Sequence, residues 1–236
     1  MIIGFSTGSF WKFIEPISKE AIKLNEKLGA NAIELHAGSL ERIEKLQTIE
    51  KTDLSRYKYV SIHAPADMDY INSDKTKQIL KKIESACQKL PIDAVTFHPD
   101  TIKDWDVLLQ YTIPYAFENM DEQKEFGQTA DDIEIILNKG YKFVFDVNHI
   151  MTIDLTLKKA NSFIPKFNSQ LTHVHFSGML EKEGMKNHHA IFETKQNELF
   201  KITPNAPIII ESQLEPEQGE LIDIAEKELN YIKTHL

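Results

Sequence analysis

The sequence predicts a (β/α)8 barrel, an α/β fold forming one domain over residues 1–236. Three observations predict it. Eight short apolar runs alternate with helical apolar spacing along the whole chain. No linker, low-complexity stretch or shift in composition interrupts them, and the length suits one barrel. Six of the runs end in His, Asp or Glu, at the strand end where barrel enzymes place their catalytic groups.

The first strand is Ile2–Ser6, and the helical pattern Glu15–Leu28 closes at Gly29. Strand two is Asn31–His36, followed by a short helix at Leu40–Ile49. Lys58–His63 is strand three, and Ser73–Leu90 is a long helix stopped by Pro91. Asp93–His98 is strand four, with a short helix at Trp105–Tyr111. Ile113–Glu118 is strand five, and the helix Thr129–Asn138 ends at Gly140. Lys142–Asp146 is strand six. The helix Thr152–Phe163 after it should stop before Pro165, because proline lacks the amide donor of a helix interior. Leu171–Phe176 is strand seven and leads into a polar loop; Pro207–Glu211 is strand eight, and Glu217–Leu236 is the closing helix. Such alternation demands a parallel sheet, and eight strands commonly close. An open doubly wound sheet would want a Gly-rich phosphate loop after strand one, and Gly4-x-x-x-Gly8 is too sparse for that.

Composition narrows the function classes. No apolar stretch approaches the roughly 18 residues that span a bilayer, so no membrane association is expected, and the start does not resemble a signal peptide. Cys87 is the only cysteine, which excludes an internal disulfide and makes a cytoplasmic setting the default. It follows Ile79 and Ile83 at helical spacing and reads as a small core residue. Net charge is −9, with 25 Lys but only two Arg, Arg42 and Arg56. Proteins that grip phosphate backbones usually show a basic face rich in Arg forks. Nucleic acid is therefore disfavoured as a partner rather than excluded, since bound cations can offset local acidity. Nothing in the sequence sets the oligomeric state.

Period-two alternation sorts the strand ends. With Ile62, Phe97, Phe117, Phe145, Val174 and Ile210 facing the helices, their neighbours His63, His98, Glu118, Asp146, His175 and Glu211 face inward. Three carboxylates and three imidazoles converging in one mouth would be costly to desolvate. A divalent cation resolves this, and imidazole with carboxylate suits Zn, Mn, Fe or Co. His149 adds an imidazole just beyond strand six, and Asn187-His188-His189 adds more in the loop after strand seven. His173 points inward one layer deeper and reads as a packed or supporting residue. Glu34 and His36 share the inward face of strand two, where they either touch substrate or pair with each other. Phe10-Trp11 stands at the mouth, either stacking on a sugar ring or stapling the next helix. Lys182 and Lys186 would meet a substrate phosphate or else stay solvated.

Ile62-His63-Ala64-Pro65, Phe97-His98-Pro99, Phe117-Glu118-Asn119, Phe145-Asp146-Val147-Asn148-His149, His173-Val174-His175 and Ile210-Glu211 together resemble the xylose isomerase-like TIM-barrel superfamily. That superfamily groups sugar isomerases and epimerases with endonuclease IV. The resemblance implies a metal held by Glu118, Asp146, His175 and Glu211. It also implies, for the endonuclease branch, further metals on positions matching His63, His98, His149 and a late Asp-x-His pair. Here that pair reads Asn187-His188-His189, with an amide in place of the acid and His189 as the candidate ligand.

Two activities follow as expectations. One is isomerisation or epimerisation of a small sugar or sugar phosphate, with one cation stabilising an enediolate. Glu118 and Glu211 would remove and return the proton, and His98 and His149 would hold hydroxyls. The alternative is phosphodiester hydrolysis at abasic DNA sites by up to three clustered cations.

Overall fold

The computed structural model describes residues Met1–Leu236. The elements in chain order are β1 (Ile3–Ser6), α1 (Lys19–Lys27), β2 (Ala32–His36), α2 (Leu40–Lys45), β3 (Tyr59–His63), α3 (Asp74–Lys89), β4 (Ala94–Phe97), β5 (Tyr115–Glu118) and α4 (Ala130–Leu137). There follow β6 (Lys142–Asp146), α5 (Val147–Ile153), α6 (Ala160–Phe167), β7 (Leu171–Phe176), β8 (Gly178–Lys182), β9 (Met185–His189), α7 (Ile191–Thr194), β10 (Ile208–Ile210) and α8 (Leu221–His235). Eight of the strands close into a parallel barrel in the order β1-β10-β7-β6-β5-β4-β3-β2, while β8 and β9 form a separate antiparallel hairpin. No helix is long and apolar enough to cross a membrane.

Helix starts follow local chemistry. Ser18, Ser39, Ser73 and Thr129 each accept a backbone N–H of the first turn of α1, α2, α3 and α4. Thr129 and Asp132 complete a reciprocal capping box. The cap at Ser18 places the start of α1 later than the apolar spacing alone implied. Gly219, at φ 129°, delays the last helix to Leu221 in the same way. Residues 105–110 wind as a 3-10 turn.

The expected helix Thr152–Phe163 becomes two, α5 and α6, and α6 runs through Pro165 rather than stopping before it. Phe163 and Phe167 lie one turn apart, both buried, and stack against Phe143. That packing outweighs the hydrogen bond the proline removes.

Two apolar layers set the interior. The larger lies between barrel and helices and includes Ile62, Phe97, Phe117, Phe145, Val174 and Ile210. The smaller plugs the barrel axis and consists of Ala32, Tyr59, Ala94, Ala116, Val144 and Ile209. Successive strand residues alternate between the two, so above the plug the axis is lined by Glu34, Ser61, Thr96 and His173, all buried.

Gly4 shows how tightly β1 and β2 approach. A Cβ there would lie 1.7 Å from the Ala32 carbonyl oxygen. Gly4→Ala should therefore cost stability at the upper end of about 1–3 kcal/mol, a fall in Tm of roughly 6–12 °C by calorimetry. Gly29→Ala, at φ 70° with nothing within 4 Å, should cost only about 1–2 kcal/mol. Equal effects at the two positions would contradict this account of the β1–β2 contact.

Candidate metal centre

Parallel strands share one direction, so their C-terminal ends meet at one rim, and alternation turns the terminal side chains inward. His63, Glu118 and Asp146 end β3, β5 and β6; His175 is the last residue but one of β7. His98 and Glu211 follow directly on β4 and β10. All six reach the same mouth.

His175 is the centre of this group. Its Nδ1 faces Glu118 Oε2 at 2.8 Å, Glu211 Oε2 at 3.2 Å and Asp146 Oδ2 at 3.9 Å. Its Nε2 faces the barrel axis, with His173 Nε2 at 3.0 Å and Glu34 Oε2 at 3.2 Å. Glu34 thus lies beneath the site rather than against substrate. Its Oε2 accepts hydrogen bonds from Ser61 and Thr96 at 3.0 and 3.2 Å, and the residue is wholly buried. It pairs with the imidazoles of β7, not with its strand neighbour His36. His173 hands the chain on to the Tyr59 hydroxyl at 2.7 Å.

Asp146 is framed on both sides. The Asn119 amide accepts from Asp146 N–H and donates to its carbonyl, each at 2.9 Å, in the manner of a ladder pair. Asp146 Oδ1 then caps α5 by accepting His149 N–H at 2.7 Å. Its Oδ2 is buried and has no hydrogen-bond partner.

Two further groups flank this one. Glu118 Oε1 turns away from His175 toward His98 Nε2 at 2.6 Å and His63 Nε2 at 3.9 Å. On the other side Asp146, His149 and His188 converge. His63 and His149 direct Nδ1 to the Ala64 and Asn119 carbonyls, each at 2.8 Å, which leaves Nε2 as the ligand atom.

His189 does not join them. Adjacent residues of β9 face opposite ways, so His188 enters the cavity and bonds Ser177 Oγ at 2.8 Å, while His189 turns out to Glu193 at 2.7 Å. The region read as a polar loop is a hairpin, and its mixed polar sequence hid the period of two. Lys182 lies exposed near the hairpin tip, away from the cavity. Lys186 is tied to Glu122 and the Thr152 carbonyl. Trp11 lines the mouth and is 50% exposed, whereas Phe10 packs on Phe5 in the core. Arg42, Ser6 and Gln213 also line the cavity, and sequence pattern marked none of them.

Burial opposes charge on every group here, and the neighbours decide the outcome. Despite burial, His98 and His175 hold the Glu118 carboxyl well below its usual range. Glu34 is likewise held down by His175 and His173. His175, ringed by Glu211, Glu34 and Glu118, is raised well above the usual imidazole value despite its burial. Glu211 goes the other way: burial pushes it up to about 8. Burial lowers His188 and His173 to about 4.

These residues fit a divalent cation. Glu118, Asp146 and His175 offer ligand atoms within 4.8 Å of one another, Glu211 reaches the same His175 nitrogen at 3.2 Å, and one Asp146 oxygen has no hydrogen-bond partner. Carboxylate with imidazole is the donor set of Zn, Mn, Fe or Co.

No family model matches the sequence, and no curated protein matches it by sequence. Solved structures do match by shape. A D-psicose 3-epimerase crystallised with D-fructose superposes with TM-score 0.66 at 14% identity, covering 99% of this chain and 98% of that one. A xylose isomerase domain containing protein from Salmonella typhimurium gives 0.65 at 14% identity, covering 99% and 96%. The chain shares the (β/α)8 barrel fold of these structures. SacUVDE matches the same barrel with TM-score 0.59 at 12% identity, covering 92% and 86%.

A cation bound at His175 Nδ1 would displace the proton that the neighbouring carboxylates favour there. Titration with Mn2+ or Zn2+ at neutral pH should release about one proton per ion or more, read from calorimetric heats in buffers of different ionisation enthalpy. Asp146→Ala should weaken binding at least as much as the roughly 10–100-fold typical of losing a supporting group. Unchanged affinity in that variant would remove Asp146 from the ligand set.

Proposed function

We propose that this protein is an enzyme, a divalent-metal-dependent isomerase or epimerase of a small sugar or sugar phosphate. The observation that carries the reading is the convergence of Glu118, Asp146, His175 and Glu211 at the floor of a cavity of about 390 Å³. That volume suits one small ligand. The fold shared with a D-psicose 3-epimerase supports the same reading.

A bound dication would supply positive charge beside a substrate carbonyl and its neighbouring hydroxyl. The chain's own residues do the rest. Glu118 and Glu211 flank His175 from β5 and β10, so their carboxylates reach the cavity from two sides. One removes the proton on the carbon next to the carbonyl, and the other returns a proton to the far face or to the adjacent carbon. His149 and His98 line the cavity with fixed rings and would hold substrate hydroxyls. Trp11 offers a flat apolar face at the entrance. Glu34, beneath, holds the Nε2 side of His175, which leaves Nδ1 as the nitrogen that would take a cation.

A second reading, phosphodiester hydrolysis at abasic DNA sites, draws on one specific observation. Glu118 presents one oxygen to His175 and the other to His63 and His98, as a carboxylate bridging two cations would. Asp146, His149 and His188 offer a third position. SacUVDE shares the fold. Against it stand the net charge of −9 and the two arginines, because backbone binding draws on Lys and Arg at the phosphates.

Glu211→Gln should leave the thermal melt near that of wild type and lower kcat by about 10²–10⁴-fold. Wild-type turnover in that variant would remove Glu211 from the proton transfer. Elemental analysis separates the two readings: about one tightly held dication per chain supports the isomerase, and two or three favour the hydrolase. Nicking of an abasic duplex at low salt, where electrostatic binding is strongest, would decide for the hydrolase.

A further inference from the structure

Across the mouth from the metal centre lies a second set of polar groups that the proton transfer does not use. In the ring of eight strands β1 stands opposite β5 and β2 opposite β6, so the loops after β1 and β2 face Glu118 and Asp146 across the cavity, with β1 adjoining the β10 strand that leads into Glu211. Arg42, in α2, lines this side, while the other arginine, Arg56, is exposed elsewhere. Glu15 Oε1 takes Arg42 Nε at 3.2 Å, and the same carboxylate holds Lys45 at 3.1 Å. No other protein group bonds the guanidinium, so its terminal donors are left for whatever enters. The Arg is braced from behind with its fork unused.

Ser6, at the end of β1, lines the same cavity and is only 2% exposed, and its Oγ has no hydrogen-bond partner. Leaving a buried hydroxyl unpaired is costly, and an entering oxygen would remove that cost. His36 lines the cavity beside them, and its ring makes no hydrogen bond to the protein. Two glycines make its slot. A Cβ on Gly8 would lie 2.9 Å from its Cγ, and one on Gly38 would lie 2.6 Å from its Nε2.

We propose that Arg42, Ser6 and His36 form a subsite for a phosphate monoester, so that the substrate is a sugar monophosphate with its phosphate at the β1–β2 side and its carbonyl end at the metal centre. Three donor side chains suit the three terminal oxygens of a phosphate better than the two of a carboxylate. Lys182 and Lys186 do not supply this charge, since one is exposed on the hairpin and the other is tied to Glu122. The assignment rests on the isomerase reading for the rest of the substrate, but its test does not need turnover.

Metal-loaded protein is titrated by calorimetry with D-ribulose, D-ribulose 5-phosphate and D-glucuronate. The phosphorylated sugar should bind at least about tenfold more tightly than either of the others. Arg42→Gln should remove that advantage and leave D-ribulose affinity unchanged. Arg42→Lys should keep part of it, and Ser6→Ala should lower it by a few-fold. Equal affinities in wild type, tighter binding of glucuronate, or a phosphate preference that survives Arg42→Gln would each overturn the subsite; the last would put the phosphate on the cations instead. Arg42-dependent binding without conversion of any sugar would overturn the isomerase reading and leave the subsite standing. Turnover of neutral sugars with no gain from phosphate would do the reverse. Failure of both sugars to bind would overturn both.

Discussion

Negative charge gathered inside a barrel has to be answered, and the answer organises this protein. Three carboxylates from three strands face a single nitrogen of His175. Taken out of water without partners, such a group would not stay ionised. The surrounding residues answer part of that charge: His63 and His98 take the second oxygen of Glu118, the first turn of α5 takes one oxygen of Asp146, and His175 stands between these carboxylates and Glu34 beneath. Among the buried atoms left unanswered is the Asp146 oxygen beside His175, where a cation would complete the balance.

The scaffold keeps these groups in place by separating its two kinds of packing. Aromatic and branched residues fill the space between strands and helices, where volume is large. Small residues such as Ala32, Ala94 and Ala116 plug the narrow axis. The polar layer between plug and mouth is hydrogen-bonded from Tyr59 through His173 to Glu34 and His175, so the floor of the site is held by bonds as well as by contact. Glu228 does similar work at the rim. Buried in α8, it accepts from Ile191 N–H, Phe192 N–H and Ser212, and so ties the end of the hairpin to the residue following Glu211.

Whether the site would take one cation or several turns on a single carboxylate. Glu118 has both oxygens engaged by imidazoles on opposite sides, which lets one residue serve a lone cation or bridge a pair. The small cavity and sparse arginine favour a compact substrate; the flanking histidines leave room for a richer metal content. Across the mouth, Arg42 and an unpaired Ser6 hydroxyl add a pole of opposite character, so the cavity has two chemically distinct ends.

The barrel and the inward direction of its strand ends were legible in the chain because both rest on local periodicity. Alternation by two sorts Ile62 from His63 and Phe145 from Asp146 whatever the rest of the protein does. Helix ends at Ser73 and Thr129 were legible for the same reason, since a cap needs only its own first turn. The tertiary structure alone decided what depends on distant neighbours. It ran α6 through Pro165 because Phe163 and Phe167 had a surface to bury. It turned His188 in and His189 out, because a short polar hairpin carries no apolar face to reveal its register. It placed Glu34 under the metal centre rather than beside substrate, because depth along a barrel axis is set by the stagger between strands and not by any one strand's sequence.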